Sequence, residues 1–265
     1  MEMEKIRIGA IETSRFILGT NPVAGVSHQS PELNSRMRRY FSSAQVKRLF
    51  REAEGLGVNT VIARTDNHII RLLEEYWDEG GQIQWIAQTA PELISICYAV
   101  QKAIENRALG CFIHGGVADH LLANDRIEEV IPAIKMIREA GLAAGIAGHN
   151  PEVFLWAERN LELDFYMCCY YNPSSLVSSP QTSSKSGEWF SDADRQIMVD
   201  LIAGLSRPAI HYKIMAAGRN DPAEAFGFTA KHLRTGDAVC VGIYDEAQPG
   251  MLRENVELLE SCLRT

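Results

Sequence analysis

The chain has no excess of positive charge, no long apolar run and no paired-cysteine motif, and each absence removes a class of function. Its 265 residues carry 26 Lys and Arg against 34 Asp and Glu, a formal net charge of -8, without any block of like charge. That balance opposes nucleic acid and anionic membrane surfaces as partners. No stretch approaches the roughly 18 apolar residues that a membrane helix needs. The opening "MEMEKIRIGAIE" lacks the charged-then-apolar layout of a secretory leader, so a cytoplasmic protein is expected. The six cysteines, Cys97, Cys111, Cys168, Cys169, Cys240 and Cys262, include no CxxC pair, which leaves a zinc ribbon or thioredoxin motif without support. Several lie in apolar runs such as "AVCVG" and read as small buried hydrophobes kept reduced.

What the chain does have is a recurrent pattern. Short apolar runs are each followed by a turn signal and then by helical spacing. The strand candidates are "RFILGTN", "VNTVIART", "QWIAQTA", "LGCFIHGG", "LAAGIAGHN", "LDFYMCCYYN", "AIHYKIMAAG" and "DAVCVGIYD". Between them, "SAQVKRLFREAEGL", "IEEVIPAIKMIREAGL", "DADRQIMVDLIAGL" and "MLRENVELLESCL" place apolar residues at helical intervals with caps at their ends. Near-continuous apolar strands alternating with helices predict a parallel sheet covered on its outer face. Eight such units in this length predict an α/β protein, a (β/α)8 TIM barrel formed as a single domain over 1–265. A doubly wound sheet is the competitor, but no GxGxxG follows an early strand. The longest irregular stretch, the Ser-rich 173–188, is expected to be a lid over the active face, with Tyr170, Tyr171 and Trp189 as an apolar wall.

TIM barrels keep their chemistry at the C-terminal ends of the strands. The polar residues there are Asn21; Arg64, Asp66 and His68; Gln88; His114; His149; Tyr171 and Asn172; His211 and Lys213; Tyr244 and Asp245. Four of the seven histidines fall at strand ends. Lys213 alternates with His211 and Met215, so it is expected to share a strand face with His211. A lysine turned into a barrel must be paired or lose its proton readily, which suits a general base or an imine-forming amine. A structural ion pair with Asp66 or Asp245 is the alternative.

In order along the chain, "RFILGTNPVAG", "GLGVNTVIARTD", "FIHGG", "IREAGLAAGIAGHNPEVF", "LDFYMCCYYNP" and "GIYDEAQPGMLRENVELL" resemble the strand regions of the aldo-keto reductases. The resemblance implies that His114 occupies that family's histidine position. The other signature positions differ. The family's aspartate falls on Ile62, its tyrosine near Asn67 or His68, and its lysine on or beside Gln88 and Thr89. Asp245 and Glu246 stand where a basic residue would bind a 2′-phosphate. This pattern resembles a reductase barrel in which other chemistry has replaced reduction.

The favoured expectation is an enzyme that performs acid–base chemistry of isomerase, lyase or hydrolase type on a small polar, sugar-derived substrate. His114, Lys213, Asp66 and His149 are the expected catalytic residues. Arg64, His68, Asn21, Tyr171, His211 and Arg219 are the expected substrate contacts, Arg219 through a phosphate or carboxylate. A divalent metal on His114, His149 and Asp66 is a variant of this reading. The alternatives are an NAD(P)-dependent oxidoreductase, which the lost signature positions disfavour, and a non-catalytic binding protein. Reaction type, substrate and oligomeric state are not legible.

Overall fold

In a computed structural model, residues 3–172, 190–246 and 248–264 are described; the expected lid and Trp189 lie outside them. An antiparallel hairpin of β1 (Lys5–Ile8) and β2 (Ile11–Ser14) precedes eight parallel strands. These are β3 (Phe16–Gly19), β4 (Thr60–Arg64), β5 (Gln84–Gln88), β6 (Gly110–Ile113), β7 (Ala143–Gly148), β8 (Phe165–Cys169), β9 (Ala209–Tyr212) and β10 (Ala238–Gly242). They pair in chain order, and β10 closes on β3. The expected TIM barrel is the observed fold, with each of the eight apolar runs supplying one strand.

Alternation along the strands divides the core in two. Ile17, Ile62, Ile86, Phe112, Phe165, Met167 and Ile210 fill the barrel interior. Leu18, Val61, Trp85, Cys111 and Ile113 face the surrounding helices. Ile62, at the reductase aspartate position, is therefore an interior packing residue. The hairpin, unforeseen in the sequence, plugs the N-terminal end by adding Ile6, Ile8 and Ile11 to the interior cluster. Each such isoleucine contributes about 1.5–3 kcal/mol of apolar burial. Gly145 is required inside the barrel, because a Cβ there would lie 2.4 Å from the Phe165 ring.

The helices start where the sequence offers caps. Asp66 accepts from the Ile69 amide to begin α3 (Asn67–Asp78), and Asn150 accepts from Glu152 to begin α7 (Pro151–Asn160). Ser191 and Asp221 do the same for α8 (Asp192–Gly204) and α9 (Pro222–His232). Such caps contribute about 1 kcal/mol each. Among the described residues, no helix is long and apolar enough to cross a membrane.

A polar network ties the last units to the first at the N-terminal pole. Asp237, 1% exposed, accepts from the Ala209 amide at 2.8 Å, from the Arg234 amide at 3.0 Å and from the Arg234 Nε at 2.9 Å. These donors, with His211 beside it, hold its carboxyl down at about 2 against the burial that would raise it. Arg15, leading into β3, donates to the Asp237 and Arg234 carbonyls. Removing the carboxylate leaves buried donors without partners. Asp237→Ala is therefore expected to cost about 3 kcal/mol. Urea unfolding checks this, and a loss below about 1 kcal/mol would remove the network from the forces that close the barrel.

Candidate functional site

The candidate site is assembled from the ends of four consecutive barrel strands. β6 runs into His114, which is the N-cap of α5 (Gly115–Ala123), and β7 runs into His149. In β8, Phe165 and Met167 point into the barrel interior, and Cys169, two residues on and fully buried, lies near the His149 and Lys213 charges. Register pairs it with Tyr212, the last residue of β9. Lys213 follows with φ 56°, in the left-handed region.

His149 is the hub. Its Nδ1 lies 2.6 Å from Asp119 Oδ2. Asp119, on α5, also accepts from the His149 and Asn150 amides at 3.1 Å each. These bonds fix the orientation of the imidazole, so its Nε2 faces the mouth. There it lies 3.3 Å from both the Tyr212 hydroxyl and Lys213 Nζ, and the Cys169 thiol is close enough to the ring for their charges to interact. Gly115 permits this packing. A Cβ on it would come within 3.1–3.2 Å of the His149 ring and the Tyr212 oxygen.

The two histidines are driven in opposite directions. Burial lowers the His114 pKa to about 3, assisted by the nearby charges of His149, Arg64 and Lys213. Its position at the positive end of α5 works in the same direction. Its Nδ1 is buried without a hydrogen-bond partner among the described residues. Burial also opposes charge on His149, but Cys169 and Asp119 outweigh it and raise that pKa to about 9. Reciprocally, burial would raise the Cys169 thiol, but the His149 and Lys213 charges bring it down. The Lys213 ammonium is lowered by burial. His28, in the loop after β3, is pushed well down by burial and by the charges of Lys213 and His149. The mouth thus favours the charged form of His149 and the neutral forms of His114 and His28, around a lysine whose proton burial loosens.

Of the expected catalytic residues, His114, His149 and Lys213 come together and Asp66 does not join them. Its carboxylate caps α3 and pairs with Arg64 at 3.2 Å; the carboxylate at the site is that of Asp119. Arg64 also binds Glu92. His68 is exposed on α3. His211 and Lys213 do not share a face. His211 points into the helix layer, with Nδ1 2.9 Å from the Tyr170 hydroxyl and Nε2 3.4 Å from Asp237. The strand ends at Tyr212, and the left-handed turn at Lys213 breaks the period-2 alternation. Tyr170 is consequently no wall of the mouth. Tyr171 is buried and its hydroxyl accepts from Asn220 at 2.9 Å. Asn21 is half-buried beyond β3. Arg219 donates to the Ala216 and His28 carbonyls, both at 3.0 Å. Asp245 binds Tyr40 and Arg48 rather than the lysine. Among the described residues, no group of three His, Cys, Asp or Glu side chains is placed to hold a metal ion, so the His114, His149 and Asp66 triad is not formed.

Strand ends alone did not reveal Asp119, Cys169, Tyr212 or His28. Asp119 had a signal in "HGGVADH", because it lies five residues past His114 on the helix that faces β7. Cys169 and Tyr212 had one in the period-2 spacing of their strands.

No family model matches the chain, and no curated protein does. Solved structures do. A protein of Pseudomonas aeruginosa assigned to the aldo-keto reductases is 18% identical, with a TM-score of 0.63 over 98% of this chain and 95% of that one. An aldo-keto reductase of Bacillus halodurans is 12% identical, with a TM-score of 0.64 over 98% and 91%. A truncated 3-deoxy-D-arabino-heptulosonate 7-phosphate synthase of Thermotoga maritima is 13% identical, with a TM-score of 0.60 over 98% and 92%. The fold is that of the aldo-keto reductases and other TIM-barrel proteins, in a divergent sequence.

The histidine environments set a pH dependence. His114, His28 and His211 all titrate below their ordinary value of 6.5. The unfolded chain therefore binds protons that the folded chain refuses. The stability they contribute is fully present above about 6.5 and is lost as pH falls, for His114 down to about 3. Its share is on the order of 2 kcal/mol after allowance for solvent screening. His114→Gln should flatten the acid limb of a urea-unfolding series between pH 7 and pH 4. An unchanged slope would mean that His114 is not held neutral.

Proposed function

We propose that the protein is an enzyme that moves protons on a small polar substrate bearing a carbonyl group, in chemistry of isomerase, lyase or hydrolase type. The observation that carries this reading is the opposed state of His114 and His149 on adjacent strands, around Lys213. Groups whose surroundings push their pKa values apart suit separate base and acid roles. His114, neutral, takes a proton from carbon or a hydroxyl. His149, charged and oriented by Asp119, gives one to the developing oxygen, and the Tyr212 hydroxyl beside it donates to the same oxygen. The hydroxyl- and imidazole-rich mouth fits a polyhydroxylated compound, and the acidic chain supports a small-molecule partner in the cytoplasm rather than nucleic acid or a membrane.

A second reading has its own observation. Tyr212 and Lys213 at the end of β9, His149 after β7 and Asp119 on α5 gather a tyrosine, lysine, histidine and aspartate, the four residue types of the reductase signature, at other positions of the barrel. Two features disfavour nicotinamide reduction. Burial and then the neighbouring Cys169 push the Tyr212 hydroxyl far up, which makes it a weak proton donor. The eighth-strand loop also does not fit a 2′-phosphate. Asp245 and Glu246 take up Arg48 and Arg36 there, and Arg219 is turned to backbone carbonyls.

The test is proton NMR in D2O on a panel of hydroxyaldehydes, hydroxyketones and their phosphates. Deuterium should enter beside the carbonyl of at least one compound, and His149→Asn should slow this by about 10²–10⁴-fold. No exchange or turnover across the panel, with micromolar calorimetric binding of NADH or NADPH, would favour the reductase instead.

A further inference from the structure

We propose that Lys213 is an imine-forming lysine that takes small, uncharged hydroxyaldehydes or hydroxyketones: its amine lies 3.3 Å from the imidazole that must handle the protons of the adduct, at the mouth of the barrel. The proposal rests on the acid–base reading above and gives it a substrate class and a covalent step.

The backbone is the first argument. Tyr212 points inward, so an extended Lys213 would face the helix layer as His211 does. The left-handed φ of 56° returns its side chain to the mouth instead. Ala216 and Ala217 are left-handed too, at 49° and 56°, which makes three strained non-glycine residues within five. Such strain persists only where surrounding bonds hold it. Here the Ala216 amide donates to the Lys213 carbonyl at 2.8 Å, Arg219 donates to the Ala216 carbonyl at 3.0 Å and Gln29 to the Ala217 carbonyl at 2.7 Å. The second argument is access. Cys169 is the other nucleophile near His149, but it is fully buried, whereas Lys213 is only partly buried. The amine, not the thiol, meets a ligand. Burial loosens the ammonium proton, in the direction a nucleophilic amine needs.

The step balances. The neutral amine adds to the carbonyl carbon, and the C=O π pair moves to oxygen, which gains a proton from His149 Nε2. The nitrogen loses one proton through the same imidazole, which gives a carbinolamine. His149 then protonates the hydroxyl, water leaves, and the nitrogen lone pair forms the C=N bond of a protonated imine, leaving His149 neutral. His114, whose buried Nδ1 has no partner among the described residues, stands on the adjacent strand end to accept a hydroxyl or the α-proton. An uncharged ligand is favoured because the nearby guanidiniums are taken, Arg64 by Asp66 and Glu92 and Arg219 by carbonyls.

Full-length protein is incubated with glycolaldehyde, dihydroxyacetone or pyruvate and sodium cyanoborohydride, then peptide-mapped. The reduced adduct adds the mass of the carbonyl compound less one oxygen. Lys213 should be labelled at least tenfold faster than the exposed Lys135 by glycolaldehyde or dihydroxyacetone, and more slowly by pyruvate. His149→Asn should slow Lys213 labelling at least tenfold and leave Lys135 unchanged. Labelling of Lys213 no faster than Lys135 by either uncharged probe, or preference for pyruvate, overturns the proposal. Deuterium exchange without trapping would sink the imine and keep the acid–base reading. Trapping without exchange would keep the imine and sink that reading.

Discussion

The barrel mouth depends on one hydrogen-bonded carboxylate. Taking a carboxylate out of water costs several kcal/mol unless donors replace the solvent. Asp119 receives three, from the His149 ring and from the His149 and Asn150 amides. Two of these are backbone groups at the β7–α7 junction, so the position of α5 and the path of the chain leaving β7 are set together. The third fixes which nitrogen of His149 faces the mouth. The contacts of that nitrogen with Tyr212 and Lys213 follow from it. Asp119 thus adds to the effect of Cys169 in favouring the charged imidazole against burial.

The opposite wall is held by strain. A non-glycine residue in the left-handed region costs on the order of 1 kcal/mol or more, and three of them follow β9. The loop is clamped to the loop after β3, where Arg219 binds the His28 carbonyl and Gln29 binds the Ala217 carbonyl. Because β10 closes on β3 and pairs with β9, these two loops leave strands separated by one position, and closure of the barrel brings them within reach. Global topology thus supports a local conformation that the sequence "HYKIMAAG" would not adopt alone.

That coupling explains what was legible in the sequence. Strands buried on both faces read as continuous apolar runs, so all eight barrel strands could be found. The β1–β2 hairpin could not, because its four-residue strands alternate and carry no such run. His114 and His149 were found by the strand-end rule, which depends only on chain order. Lys213 was found for the wrong reason: the alternation placing it beside His211 stops at Tyr212. Asp66 and His68 followed a strand end, but one caps a helix and the other sits on that helix's exposed side. Asp119 escaped because the rule looks at strands, while the carboxylate arrives from a helix.

The site holds the same four residue types as the reductase signature, yet electrostatics gives them different work. A phenol acts as proton donor only if its surroundings make the phenolate tolerable. Tyr212 is buried and adjoins Cys169, and both press its pKa upward. His149 meets the reverse condition, since the same sulfur and Asp119 favour its charged form. Cys169 therefore disfavours loss of the phenol proton and favours the protonated imidazole 3.3 Å away. A thiol that the sequence reads as a small buried hydrophobe is thus the residue on which the proposed choice of acid–base chemistry over reduction turns. In the proposed reaction the acid is the ring 3.3 Å from Lys213, so donor and amine would act on one carbonyl without a second mobile group.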